Sequence, residues 1–295
     1  MELKQLEAFS LCVKLHNYSK VAKEMGVSLP TIINHIHALE KEFGCEIVRK
    51  VGTQLHPTTQ GLLLLDYAKR MLALRDEAIS ELSKEDVRHS GTLNIASSTT
   101  PSESFIEECL DCFKVSYPNI RVKIHYTNST QVLEDIRRNQ VDLGFTGFMQ
   151  EDSTLEFKAI EEDELFLVLP MDHPLASKKE VTIDELKKLP FLLREEGSAT
   201  REHTIEELEA RGCKLKDLRV LSELSDSESI LQAIKKGLGV SILSRKVMGD
   251  NSLVALPLEG GAMNRSLYVV RRASRSGYTQ GSLLLDCVEK VLASR

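Results

Sequence analysis

Leu3, Leu6, Phe9 and Val13 recur at intervals of three and four, the spacing of one face of an amphipathic helix. A second helix is expected from Tyr18-Ser19, with Ser19 as its N-cap and Val21, Ala22 and Met25 turned inward. Gly26 stops it, because glycine enters a left-handed turn at little cost. Ser28 caps a third helix, and Pro30 sits in its first turn, where a missing N–H costs nothing. Ile32, Ile36, Leu39 and Phe43 form the inward ridge of that helix. Two short helices, a glycine turn and a capped third helix make a helix-turn-helix. Gly44 ends the third helix, and residues 45–56 read as two short strands around a glycine-containing turn, the shape of a wing.

From Thr59 to about Val87 almost nothing breaks the helical pattern after Gly61. Leu65, Leu72 and Ile79 lie seven apart, with Ala68 and Leu82 filling intervening positions. Such a stripe on an isolated ~40 Å helix needs a partner. A dimerising linker helix satisfies it; packing on the chain's own C-terminal part is the alternative. Beyond Ser90-Gly91 the texture becomes alternating strands and helices. Strands are expected at Leu93–Ala96, Val122–Tyr126 and Leu143–Phe145, with helices at Glu103–Tyr117 and Thr130–Asn139. A second set has strands at Leu165–Leu169, Phe191–Leu193, Val220–Leu224 and Val240–Leu243, and helices at Thr200–Arg211 and Ser229–Lys236. Leu267–Val270 and a helix from about Tyr278 close the chain. This order predicts mostly parallel sheets covered by helices, in two α/β lobes with a cleft between them.

The net charge of −6 is uneven: residues 1–89 hold twelve cations and twelve anions, so all the acidity lies beyond them. A neutral N-terminal unit still binds phosphates if its cations share a face, so charge neither proves nor excludes DNA binding. Six scattered cysteines are too few for a disulfide framework, and Cys109-x-x-Cys112 reads better as buried apolar thiols than as a redox or metal pair. There is no apolar run of membrane-spanning length and no signal peptide, so a cytoplasmic protein is expected.

The run from Tyr18 through Ser28-Leu29-Pro30-Thr31-Ile32-Ile33-Asn34-His35-Ile36 to Gly44 resembles the helix-turn-helix signature of LysR-type transcriptional regulators. The likeness continues through Arg49, Leu55, Pro57-Thr58 and Gly61. It extends into the C-terminal part at Gly91-Thr92-Leu93, Tyr117-Pro118, Asp142-Leu143-Gly144-Phe145, His173-Pro174-Leu175-Ala176, Glu196–Arg201 and Gly237–Ser244. The resemblance implies an α/β chain with an α-rich winged helix-turn-helix over 1–58 and a linker and dimerisation helix over 59–89. Residues 90–295 would form a two-lobed effector-binding domain similar to periplasmic binding proteins. Lobe 1 would take 91–162 and 266–295, lobe 2 would take 163–265, and crossover strands near 162 and 266 would be the hinge. The implied partners are double-stranded DNA, a small-molecule effector and further copies of the chain, as a dimer through the linker helix and as a tetramer. RNA polymerase is a further candidate.

In such a motif the third helix enters the major groove and its N-terminal residues meet base edges. The outward positions are Leu29, Thr31, Ile33, Asn34, His35 and Ala38, with Ser28 and Pro30 at the helix start. Leu29 stands where the family commonly has Gln, Ile33 where it has Ser, and Asn34 where it has Lys or Arg. Leu29 and Ile33 can pack on thymine methyls and Asn34 can pair with adenine, which favours an A·T-rich site. The alternatives are that Leu29 and Ile33 pack within their own domain, or that DNA affinity is weakened. Arg49 and Lys50 on the wing, with Lys20 and Lys23 before the turn, are the expected phosphate contacts.

Ligands of open α/β sheets lie at strand C-terminal ends against helix N-termini. The corners of that kind are rich in hydroxyls: Ser97-Ser98-Thr99-Thr100, Asn128-Ser129, Thr146-Gly147, Ser198-Ala199-Thr200 and Ser225-Asp226-Ser227. Free N–H groups and hydroxyls can hold an anion without a buried cation, and Arg201 could add charge. Aromatic residues are 5% of the chain and Trp is missing, so a small polar ligand fits better than a flat ring. Each corner taken singly reads equally well as an ordinary N-cap. The hydroxyl-rich corners also resemble sulfur-assimilation regulators within the family, which implies a sulfate-like oxyanion, a small carboxylate or an O-acetylserine-like effector. No cofactor or metal is expected.

An enzyme or solute-binding protein of the same two-lobed fold is the first competitor. No nucleophile elbow, phosphate-cradling glycine loop or metal-ligand spacing supports catalysis, and the eight histidines are scattered. The second competitor is a helix-turn-helix that binds protein, kept open by non-polar Leu29 and Ile33.

Overall fold

The computed structural model describes residues 1–82, 90–98, 105–249, 252–273 and 280–294. The chain divides into an N-terminal unit, residues 1–88, and a C-terminal unit holding nearly all the rest.

The N-terminal unit opens with α1 (Leu3–Leu15), α2 (Tyr18–Met25) and α3 (Leu29–Phe43). A hairpin of β1 (Val48–Val51) and β2 (Gln54–Pro57) follows, then the long helix α4 (Thr59–Leu82). Asn17, not Ser19, caps α2: its Oδ1 accepts from the Ser19 and Lys20 amides at 2.9 and 3.1 Å. Gly26 takes φ 65° at the turn, and Ser28 Oγ accepts from the Thr31 amide to start α3. Leu6, Phe9, Cys12, Val21, Ile32, Ile36 and Leu39 form the core with Ala68 of α4. Phe43, expected on the ridge, is instead 45% exposed, because the last turn of α3 overshoots that core.

The wing is fastened to α1 by one residue. His16, left-handed at φ 54°, accepts from the Leu55 amide at 3.0 Å, and its Nδ1 donates to the Leu55 carbonyl at 2.8 Å. Gly61 is required by space, since a Cβ there would lie 2.0 Å from the Ile47 carbonyl oxygen. Thr58 closes this joint, donating to the Glu46 carbonyl and accepting from the Gly61 amide. The 24 residues of α4 span about 36 Å. Its expected stripe splits: Leu65 packs partly against the domain core beside buried Leu64 and Ala68, whereas Ile79 is exposed. Leu62, Leu63, Tyr67 and Leu74 are exposed as well. The side chain of Leu82, and residues 83–87 of the expected helix, lie outside the described residues.

In the C-terminal unit β3 (Gly91–Ser98), α5 (Phe105–Ser116), β4 (Ile120–Thr127), α6 (Ser129–Arg137) and β5 (Leu143–Thr146) come first. The long strand β6 (Leu155–Pro170) leads to α7 (Ile183–Leu186), β7 (Pro190–Arg194), α8 (Ala199–Ala210), β8 (Arg219–Leu224) and α9 (Ser227–Lys235). The chain ends with β9 (Ser241–Ser244), β10 (Leu253–Leu256), β11 (Met263–Arg272) and α10 (Gln280–Ser294). In the first lobe the strand order is β6-β11-β5-β3-β4, with β3 parallel to both β4 and β5. In the second, β9 and β10 flank β6 antiparallel, and the parallel pair β7-β8 joins through a bridge from Phe191 to Val240. The sheets are therefore mixed rather than mostly parallel. Strand β6 serves both lobes and pairs with β11 from Leu155↔Arg272 to Leu165↔Met263, with a bulge opposite Leu267/Tyr268.

Separate cores fill the lobes, one around Leu93, Ile95, Phe105, Phe113 and Phe145, the other around Leu167, Val181, Phe191, Leu208 and Ile242. Cys109 and Cys287 belong to the first core, and burial pushes the Cys287 thiol up to about 12. No described helix is long and apolar enough to cross a membrane.

Candidate nucleic-acid interface and ligand cleft

Helix α3 is two-sided. Ile32, Ile36 and Leu39 are buried, while Leu29 is 40% exposed and Pro30 and Asn34 are exposed. Thr31, Ile33 and His35 are half-buried, and neither Leu29 nor Ile33 joins the domain's apolar core. Packing within the domain therefore does not explain these two aliphatic residues. The hydroxyls of Ser28 and Thr31 lie 2.7 Å apart and bond each other at the helix start. Lys20 and Lys23 stand exposed on α2, and Arg49 and Lys50 on β1.

In the C-terminal unit the ends of β3, β5 and β7 meet the starts of α6 and α8. Ser98, Asn128, Ser129, Gly147, Arg194, Ser198, Ala199 and Thr200 line one small cleft there, with a free volume of about 10 Å³, close to that of one water. Two contacts tie its walls together: the Thr130 amide donates to the Gly197 carbonyl at 3.1 Å, and Asn128 Nδ2 to the Glu196 carbonyl at 3.5 Å. Asn128 Oδ1 also caps α6 through the Gln131 amide.

Other expected residues take different places. The Ser97 hydroxyl turns back onto the Ser98 carbonyl, and Thr146 is buried with a long contact to the Phe148 carbonyl. Neither lines the cleft. Ser225 offers its carbonyl to Arg194, while Asp226 caps α9. Arg201 is held by Glu223 and the Arg194 carbonyl, away from the cleft lining. Ser198 precedes α8 but makes no side-chain cap bond. Thr99 and Thr100 lie outside the described residues.

Two buried arginines that the sequence reading passed over reach this region. Arg194 lines the cleft, chelates Glu195 at 2.8 and 3.0 Å, and donates to Ser227 Oγ at 3.0 Å. Arg265 on β11 sits opposite Asp163 on β6; Nε and Nη2 each lie 2.8 Å from the same carboxylate oxygen. Both are buried, at 6% and 2% exposure. Ser244 donates to the other oxygen of Asp163. Nη1 of Arg265 points onward to Thr200 Oγ1 at 3.2 Å and would lie 3.3 Å from a Cβ at Gly147. Burial pushes the Arg265 guanidinium down from its usual range and the Asp163 charge opposes this. Burial first, and then the Arg265 charge, lower the pKa of His203. Among the described residues no group of three His, Cys, Asp or Glu could hold a metal.

Residues 3–62 match the bacterial regulatory helix-turn-helix proteins of the lysR family, and residues 87–293 match the LysR substrate binding domain. The chain belongs to the LysR family. It is a DNA-binding transcriptional regulator with an effector-binding domain. It is 30% identical to the HTH-type transcriptional regulator CysL of Bacillus subtilis, over 82% of this chain and 80% of that one. The CcmR regulatory domain of Synechocystis, solved in complex with 2-PG, is 30% identical over 69% of this chain and 98% of its own, with a TM-score of 0.62. Full-length OxyR from Pseudomonas aeruginosa shares the fold at a TM-score of 0.75 and 17% identity, over 99% of this chain and 94% of that chain.

This LysR regulator has a two-sided third helix and a two-lobed α/β domain. Arg194 ends a strand in an apolar run, and Arg265 follows a glycine-rich turn, so neither carries a local sequence signal; the cross-strand pairing with Asp163 singles Arg265 out.

Proposed function

We propose that this regulator reads an A·T-rich operator through α3 and responds to a small anionic effector held between the lobes of its C-terminal unit. The observation that carries the first half is the exposure of Leu29 and Asn34 on a helix whose opposite ridge is buried. Leu29 and Ile33 meet thymine methyls, Asn34 pairs with adenine, and Arg49, Lys50, Lys20 and Lys23 contact phosphates. The second half is supported by a cleft lined with hydroxyls and Arg194, and by a CcmR domain of 30% identity that holds 2-PG. Sulfate-like ions and small carboxylates are the candidate effectors.

Exposed Leu63, Tyr67 and Leu74 on α4 suit a helix-to-helix contact between two copies, and the regulator acts as a dimer or a dimer of dimers. Effector binding then shifts the population of lobe arrangements, and with it the spacing of the paired DNA-reading helices. The test combines a salt titration of operator binding with thermal shifts. Tight, salt-dependent binding to A·T-rich duplex and a rise in melting temperature with an anion at matched ionic strength support the reading. Equal affinity for scrambled duplex would remove the base contacts.

A further inference from the structure

A second void lies away from the cleft. Between α10 and the first-lobe half of β6 and β11 is a groove of about 250 Å³, against about 10 Å³ in the cleft. It has room for about eight waters, or for one small ring with a short side chain. Val269 from β11 and Leu285 from α10 give it an apolar floor, and both pack in the core of the first lobe. Two ion pairs hold the walls in place. Lys158 Nζ meets Glu289 Oε1 at 2.6 Å, tying β6 to α10, and Arg271 Nε meets Glu156 Oε2 at 2.7 Å, tying β11 to β6. The methylene stems of the lysine and the arginine extend the apolar wall.

The charges around this groove do not balance. Three carboxylates and two cations line it, and four of the five are matched in those pairs. Lys158 holds the Glu289 carboxyl below its usual range. The fifth group, Asp286, is exposed and makes no hydrogen bond or ion pair among the described residues. An entering anion must break a pair to reach a cation. An ammonium breaks none, because it finds a carboxylate that is already unengaged.

We propose that this groove is a second ligand site, selective for a small primary amine with an apolar ring or chain. The apolar body lies on Val269 and Leu285, and the ammonium meets Asp286. The site is independent of the anion reading, since no residue lines both the groove and the cleft. Strands β6 and β11 run on from the groove, past the bulge at Leu267/Tyr268, into the second lobe. An occupant therefore grips the strands that both lobes share.

The test is isothermal titration of the full chain with phenethylamine, beside 2-phenylethanol and 3-phenylpropanoate as neutral and anionic analogues. The amine should bind about fivefold tighter than the alcohol, the upper end for an exposed ion pair, and the propanoate should bind most weakly. Asp286→Asn should bring the amine down to the affinity of the alcohol, with the melting temperature of the free chain unchanged. Photolabelling with 4-azidophenethylamine and peptide mapping should mark residues 156–158, 269–271 or 282–289, and excess phenethylamine should suppress the mark. Equal affinity for amine and alcohol, undiminished amine binding by Asp286→Asn, or a label confined to other peptides would overturn the proposal. A chain that binds sulfate but no amine would overturn it too, and would leave the effector reading standing.

Discussion

The recognition helix and the ligand cleft are inversions of each other. On α3, aliphatic side chains that folding normally hides stand outside, with Leu29 exposed and Ile33 apart from the core. In the cleft, groups that water normally solvates are shut in, namely Arg194, Ser129 and Thr200 with Arg265 behind them. An exposed aliphatic reads by shape: it gains from covering a methyl group and offers no directional bond. A buried hydroxyl reads by direction, because an unpaired donor in that setting costs about 1–3 kcal/mol. On the proposed function, the α3 surface would tolerate near misses that the cleft would not.

The most severe way to break the comparison is on the buried side. Asp163→Asn leaves Arg265 without its countercharge and should destabilise the fold by about 3–5 kcal/mol, read as a lower urea midpoint. The exposed side should respond in specificity. Asn34→Ala should cost about 1–3 kcal/mol of discrimination between A·T-rich and scrambled duplex, measured by fluorescence anisotropy, with an unchanged melting temperature. Lys50→Ala should weaken binding to all duplexes alike and reduce the salt-dependence slope by about one.

The smallest effect is a control at a polar site near the surface. The Thr154 hydroxyl and the Arg137 guanidinium hold the Asp152 carboxyl down to about 2. A carboxylate whose folded pKa is depressed stabilises above its unfolded value, near 4, and loses that contribution as pH falls toward 2. Asp152→Asn should lower the urea midpoint slightly at pH 5, where that contribution is present, and leave it nearly unchanged at pH 2.5, so that the acid limb flattens.

Much of the N-terminal unit was legible because helical periodicity and caps are local signals. Ile32, Ile36 and Leu39 announce a buried ridge, and Gly26, Ser28 and Gly44 fix where the helices end. Asn17 and Ser19 are both good caps two positions apart, and only the backbone at Asn17, extended at φ −158°, chooses between them. The first half of β6 escaped the hydrophobic pattern, and only the resemblance put a crossover strand near 162, because Glu156, Glu161, Glu162 and Asp163 interrupt any apolar run. A strand in mid-sheet can carry those charges only when its neighbour answers them, as Arg265 answers Asp163 from 102 residues away. Arg265 was invisible for the same reason. Ser98, Ser129 and Thr200 could be named from the hydroxyl-rich corners, whereas the donors that reach Ser129 and Thr200 come from distant elements.

The hydrogen atom that Gly61 presents to the Ile47 carbonyl gears the long helix to the hairpin without slack. Turning α4 about its own axis must carry Arg49 and Lys50 along as if on a crank, since no side chain cushions the joint. A methyl group at position 61 would act as a shim, prying the axle from the paddle while leaving every cation in place. Torque applied far along that helix would then no longer arrive at Arg49 and Lys50.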